Sequence, residues 1–178
     1  MDDDYCRALV NKCLNGDTEA FDELVTHHQF AMYNTVYRIV GEQDDARDVT
    51  QAGFIKAWEH LHTYKSEHRF FSWLYRIMVN EALNTVRAKR VHYELKLVDH
   101  HADPADRELL EDEQNSDLAK AIDRLSPDYK AVILMRHFED LSYKEMAQIL
   151  DIDEKTVKSR LYSARMKLRE ALTGRSTD

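Results

Sequence analysis

Residues that make tight turns are scarce in this chain. Four glycines and two prolines among 178 residues cannot supply the turns of an all-β domain, so long helices are expected. No run of 18 apolar residues occurs, and no membrane insertion through a spanning helix is expected. The opening stretch, MDDDYCRALV, is acidic where a secretory signal is basic and then apolar, which points to a cytoplasmic location. Cysteine is limited to Cys6 and Cys13. In a reducing compartment this pair on one helix reads as small buried thiols rather than a disulfide. Histidines come in pairs or near-pairs (His27 with His28, His60 with His62, His100 with His101). None has the cysteine or glutamate spacing of a zinc site, so no metal and no cofactor are expected. A nucleophile with its base, or a phosphate-binding loop, is missing too, which leaves an enzyme the weakest reading.

What is present is charge, unevenly placed. The formal net charge is -8, a poor match to a DNA-binding protein until it is divided along the chain. Residues 1–43 hold 3 basic and 8 acidic side chains, and residues 92–117 hold 2 and 9. Residues 44–91 hold 8 basic and 6 acidic, and residues 118–178 hold 12 and 10. The acidic stretch, with Pro104 and no sustained apolar period, reads as a linker over residues 92–117. It divides the chain into a front domain, residues 1–91, and a back domain, residues 118–178. Both are expected to be all-α: a helix bundle in front and a four-helix unit with a helix-turn-helix behind.

In the front domain a short helix carries Leu9, Val10, Cys13 and Leu14 and stops at Asn15 and Gly16, with Asp17 placed to cap the next. Phe21, Leu24, Val25, His28, Met32, Val36 and Ile39 then recur at helical steps until Gly41. Asp44 is expected to cap a third helix that turns Ala46, Val49, Ile55 and Trp58 inward. A fourth, from about Phe70 to Arg90, is expected to bury Trp73, Ile77, Leu83 or Ala82, and Val86. Its polar stripe, Arg76, Asn80, Asn84 and Arg87, contains two asparagines, poor residues for a helix interior. Asn and Arg pair with base edges and phosphates. Tyr64, Phe70, Phe71 and Tyr75 could stack on unpaired bases, although such aromatics more often fill a core.

In the back domain Leu118, Ala121, Ile122 and Leu125 form one apolar stripe, and Ser126-Pro127 restarts a helix that carries Val132, Ile133, Met135 and Phe138. Ser142 to Glu145 fits a capping box. Asp151 suits a left-handed turn, and Asp153 or Glu154 opens the last helix. Val157, Leu161, Ala164 and Leu168 turn inward, Val157 against the small Ala147. Lys155, Lys158, Ser159, Tyr162 and Met166, with Ser163 at the edge, turn outward. Lys158 and Ser159 sit where a recognition helix enters the major groove; Arg165, Lys167 and Arg169 suit phosphates.

These pieces in this order resemble the extracytoplasmic-function (ECF) sigma factors of bacteria. DARDVTQAGFIKAW is similar to the family's polymerase-docking segment, FFSWLYRIMVNEALN to its melting helix, and LSYKEMAQILDIDEKTVKSRLYSARMKLRE to its −35-reading domain. The resemblance implies a transcription initiation factor that docks on core RNA polymerase through the β′ coiled coil and the β flap, and that opens promoter DNA. It implies docking by Asp45, Asp48, Gln51, Phe54 and Ile55. It assigns −10 recognition and melting to Tyr64, His68, Phe70, Arg76, Asn80, Asn84 and Arg87, with the loop 62–69 capturing a flipped base. It assigns −35 recognition to Lys155, Thr156, Lys158, Ser159, Tyr162, Ser163 and Arg165. The tether would run toward the RNA exit channel, relatives often bind an anti-sigma factor, and the free protein is expected to be a monomer that binds DNA weakly. Two departures stand out. Ala52 and Gly53 follow Gln51 where the family usually has an acid after it, which removes a docking contact and places a glycine in mid-helix at about 1 kcal/mol relative to alanine. The loop YKSEHRFF differs from the aromatic, Arg, Gly and acid of many relatives. A stand-alone helix-turn-helix regulator, dimeric on a palindrome, is the competing reading.

Overall fold

In the computed structural model, residues 3–97 and 117–173 are described, with residues 93–97 as backbone only. All regular structure among them is helical. The front domain consists of α1 (Asp3–Leu14), α2 (Glu19–Val40), α3 (Gln43–Glu59), a 3₁₀ turn (Leu61–Thr63) and α4 (Phe70–Leu97). The back domain consists of α5 (Asp117–Asp123), α6 (Pro127–His137), α7 (Tyr143–Leu150) and α8 (Glu154–Thr173). Most of the acidic tether, with His100 and His101, lies outside the described residues.

The front domain packs α2, α3 and α4 around one core, with α1 laid across α2 and α4. Asp17 Oδ1 accepts the Ala20 amide at 3.3 Å and so opens α2. Gly41, at φ 79°, ends α2 in a left-handed turn that costs glycine nothing. The cap of α3 is Glu42 rather than the expected Asp44: its carboxylate accepts from the Asp44 and Asp45 amides at 3.0 and 2.8 Å. Glu42 reaches back from outside the helix, whereas Asp44 already lies within its first turn.

Two registers differ from expectation. On α3 the inward face is small: Ala46, Val49, Thr50, Gly53 and Ala57. Ile55 and Trp58, expected inside, point outward at 52% and 40% exposure. Small residues let α3 approach its neighbours closely, and the large ones are left over for the outer surface. Gly53 shows how close that approach is, because a methyl group there would collide with the Met78 sulfur of α4. On α4 the buried residues are Leu74, Tyr75, Met78, Val79, Ala82 and Leu83. Trp73, Ile77 and Val86 are half-buried at the margin. Each large side chain taken fully from water contributes about 1.5–3 kcal/mol, so the stripe with most such groups sets the helix's rotation. α4 also continues through Leu97, past the expected end near Arg90. Cys6 and Cys13 are buried thiols; Cys6 Sγ lies 3.8 Å from His28 Nε2.

The back domain follows its local signals. Pro127 begins α6 after Ser126. Ser142 and Glu145 complete the capping box of α7, Glu145 accepting the Ser142 amide at 2.8 Å and donating its own amide to Ser142 Oγ at 3.2 Å. Asp151 adopts φ 52°, ψ 48° in the turn. Asp153 opens α8 by accepting the Thr156 amide at 2.6 Å. Val157, Leu161 and Ala164 are buried and Leu168 packs at the margin. Leu118 and Phe138, expected inside, are exposed, and so is Leu14 at the end of α1. Leu118 lies in the first turn of α5, Leu14 is the last residue of α1, and Phe138 caps the end of α6.

Candidate nucleic-acid interface and docking groove

The face of α8 is open. Lys155, Lys158 and Ser159 are exposed, Tyr162 is 68% exposed, and Ser163 is half-buried at the edge. Lys158 Nζ stands 5.5 Å from the centre of the Tyr143 ring, a cation–π placement that steadies a long side chain without covering its charge. Thr156 is committed locally: its hydroxyl donates to Asp153 Oδ2 at 3.0 Å. Arg165 donates from Nε to His137 Nε2 at 3.4 Å. Burial, with Arg165 and Arg136 nearby, pushes the His137 imidazole below its ordinary range. That lowering favours the neutral ring, which can accept from Arg165, a partner that sequence spacing does not reveal.

The α4 stripe differs. Arg76 and Asn84 are exposed, as expected of contact residues. Asn80 is half-buried, and its Nδ2 donates to the Ile149 carbonyl of α7 at 3.2 Å. Arg87 pairs with Asp128 of α6 at 3.0 Å. The preceding loop is tied down from α1: Arg7 donates to the Ser66 carbonyl at 3.1 Å, and Arg69 pairs with Asp3 at 3.1 Å. Tyr64 Oη donates to the His68 carbonyl at 2.8 Å, closing the loop on itself, while the His68 ring stays exposed. Phe70 is not available for stacking on a base. It is 1% exposed, with its ring edge-on to Tyr64 at 5.6 Å and tilted against Trp73 at 5.6 Å. Tyr75 is buried as well; both aromatics went to the core because α4 rotates to bury them. Between the loop and α7 lies a cavity of about 470 Å³ lined by Lys65, His68, Arg69, Ser72, Trp73 and Arg76 on one side and Glu145, Gln148 and Ile149 on the other.

A second concavity, about 770 Å³, runs between α2 and α3. Phe21, Val25, Phe30, Tyr33, Phe54, Ile55 and Trp58 make it apolar, and Gln51 and Arg47 sit on its lining. Phe30 is 76% exposed. Exposed aromatic and aliphatic groups gathered in one groove are unusual on a solvated surface and mark a contact site. Of the residues expected to dock, Gln51, Phe54 and Ile55 line this groove. Asp48 is exposed on the same helix, whereas Asp45 is paired with Lys89 of α4. The α2 half of the groove was missed; Phe30, off the buried stripe of its helix, was its sequence signal. Among the described residues no group of three potential metal ligands comes together, and no helix is long and apolar enough to cross a membrane.

The sequence matches the family model for Sigma-70 region 2 over residues 24–91 and that for Sigma-70, region 4 over residues 116–168. The ECF RNA polymerase sigma-E factor of Haemophilus influenzae is 33% identical over 172 residues, covering 89% of this chain and 90% of the relative. The ECF RNA polymerase sigma factor SigW of Bacillus subtilis is 30% identical over 176 residues, covering 92% and 94%. Among solved structures, CnrH in complex with the cytosolic domain of CnrY superposes with TM-score 0.68 at 26% identity, over 96% of this chain and 98% of that one. The sigma factor RpoE of Bartonella quintana, in complex with the anti-sigma factor NepR, gives TM-score 0.68 at 25% identity, over 88% and 98%. Because the front domain has a family match of its own, the stand-alone regulator no longer competes.

Proposed function

Because this chain belongs to the extracytoplasmic-function sigma factors of the sigma-70 family, transcription initiation factors rather than enzymes, we propose the following division of labour among its surfaces. The α2–α3 groove, with Asp48 and Gln51 beside it, takes the β′ coiled coil of core RNA polymerase, and the back domain meets the β flap. The face of α8 at Lys158, Ser159 and Tyr162 reads the −35 element. Arg76, Asn80 and Asn84 read the −10 element, and the loop 62–69 holds a base flipped from the duplex. Domain boundaries near residues 91 and 118 serve this division. The observation that carries the reading is the bare, basic face of α8 behind a fully capped turn. Binding by the free protein is weak, since the local charge excess is small and phosphate neutralisation supplies most DNA affinity.

Asn80→Ala and Lys158→Ala should each lower transcription from a cognate promoter by roughly tenfold, the weight of one good base contact, and leave affinity for core polymerase unchanged. In vitro transcription alongside a polymerase-binding measurement tests this. Loss of core binding in both variants would overturn the assignment, as would tight binding of the −35 element by the free protein at physiological salt. An anti-sigma factor, such as those bound to the two solved relatives, is a proposed partner whose identity would come from co-purification.

A further inference from the structure

We propose that α1 acts as a splint for the base-capturing loop, with Asp3 and Arg7 as positioning residues in promoter opening. The inference rests on the assignment of loop 62–69 to a flipped base, and adds the element that gives the loop its shape. α1 is itself firmly seated. Cys6, Leu9, Val10 and Cys13 are buried in the front-domain core, and Tyr5 Oη donates to Glu23 of α2 at 2.6 Å. From that seat two polar side chains reach the loop. Arg7 Nη1 donates to the Ser66 carbonyl at 3.1 Å, while its Nη2 is held by Asp4. Asp3 pairs with Arg69 Nε at 3.1 Å. Asp3 and Arg7 are only partly covered, with side chains 39% and 40% exposed, so neither is part of the buried stripe that docks the helix.

Bonds within the loop complete the frame. The His68 amide donates to the Lys65 carbonyl at 3.0 Å, and Tyr64 Oη donates to the His68 carbonyl at 2.8 Å. Tyr64 is in turn packed edge-on against the buried Phe70. The carbonyls of Lys65, Ser66 and His68 are thus all taken by protein donors. The Lys65 and His68 side chains stay exposed and line the cavity beside the loop. A backbone bonded in this way presents side chains to an incoming base. The advantage is entropic. A loop ordered only on contact with DNA gives up its backbone freedom at the moment of capture, whereas a loop bonded beforehand has already given it up. Each tie from α1 is reached by solvent and weak alone, so the splint depends on both.

The test uses the full-length double variant Asp3→Ala/Arg7→Ala assembled with core polymerase. Opening of a cognate promoter is followed by the fluorescence of 2-aminopurine placed in the −10 element. Each single substitution should slow opening about threefold, the scale of one exposed polar tie, and the two together roughly tenfold. The same measurement is then made with an abasic nucleotide at the −10 position where its introduction slows the wild type most. There the double variant should open no more slowly than the wild type, because the loop has no base to hold. Affinity for core polymerase and the tryptophan unfolding midpoint should not change. A double variant that opens the intact promoter at the wild-type rate, or loses the same factor on both templates, overturns the splint. So does a fall in core affinity or in the unfolding midpoint large enough to account for the loss. A wild type indifferent to an abasic nucleotide at every −10 position overturns the base-capture reading itself and the splint with it, which sets that failure apart from the others.

Discussion

The two domains are held together by different means. The front domain depends on side chains far apart in sequence: His28 of α2 lies among Cys6 of α1 and Phe70 and Phe71 of α4. The back domain has a buried core of its own, but the turn between α7 and α8 is set by bonds three residues long: Ser142 with Glu145, and Asp153 with Thr156. A fold built on distant packing is sensitive to anything that alters its interior. A turn built on caps loses small amounts, locally. The contrast extends to the surfaces: the packed domain carries the apolar groove and the partly covered polar stripe of α4, and the capped domain presents the outer face of α8 to solvent.

The largest separation of the two should come from acid. Burial, with His27 beside it, holds the His28 imidazole down at about 4 against an ordinary 6.5. Because the folded value is the lower one, the stability this neutral ring carries is whole above pH 6.5. As pH falls from 6.5 toward 4 the unfolded chain takes up a proton that the folded chain refuses. Front-domain stability should therefore drop by about 3 kcal/mol across that window. Both tryptophans, Trp58 and Trp73, lie in the front domain, so their fluorescence during denaturant unfolding follows that domain. His28→Leu should flatten the slope; a slope that survives the substitution removes His28 as its cause. In the back domain the Ser142 hydroxyl and amide hold the Glu145 carboxyl below its usual range. That contribution is lost only as pH falls further, through the carboxylate range.

A smaller effect probes the close packing itself. Gly53→Ala removes the propensity cost of glycine, about 1 kcal/mol, but drives a methyl group into Met78. Overpacking of a tight interior costs about 1–3 kcal/mol, and Met78 is fully buried. The net result should be a loss of roughly 1 kcal/mol in the front domain. Shortening the obstacle by Met78→Val should remove the penalty, so the two substitutions together cost less than the sum of each alone. Additive losses would mean that Gly53 is not there to admit α4.

The same division decides what could be read from the sequence. The turn between α7 and α8 was legible almost to the residue, with Asp153 and Glu154 both open as the start of α8, because caps and a left-handed Asp151 act on neighbours a few positions away. The rotation of α4 was not. FFSWLYRIMV offers apolar residues at nearly every position, and contacts from α1, α2 and α3 decide which of them face inward. The outward turn of Ile55 and Trp58 was missed for a related reason. Apolar size predicts burial for Ile55 and Trp58, whereas the packed face of α3 is its run of small residues. Candidate contacts on α8 could be placed from spacing alone. The engagement of Asn80 and Arg87 depends on how one domain meets the other, which no local pattern encodes.

The smallest effect sharpens the contrast from the other side. Ser142→Ala removes the hydroxyl that accepts the Glu145 amide at 3.2 Å, and loss of such a cap costs about 1 kcal/mol. The Glu145 carboxylate can still accept the backbone amide at position 142, so half of the box remains. Fraying should be confined to the first turn of α7, where amide hydrogen exchange should speed up about fivefold. The tryptophan transition of the front domain should stay where it is. Exchange that rises equally through α2 and α3 would show that the capped domain transmits its losses inward, and the distinction between local and distant cohesion would fall.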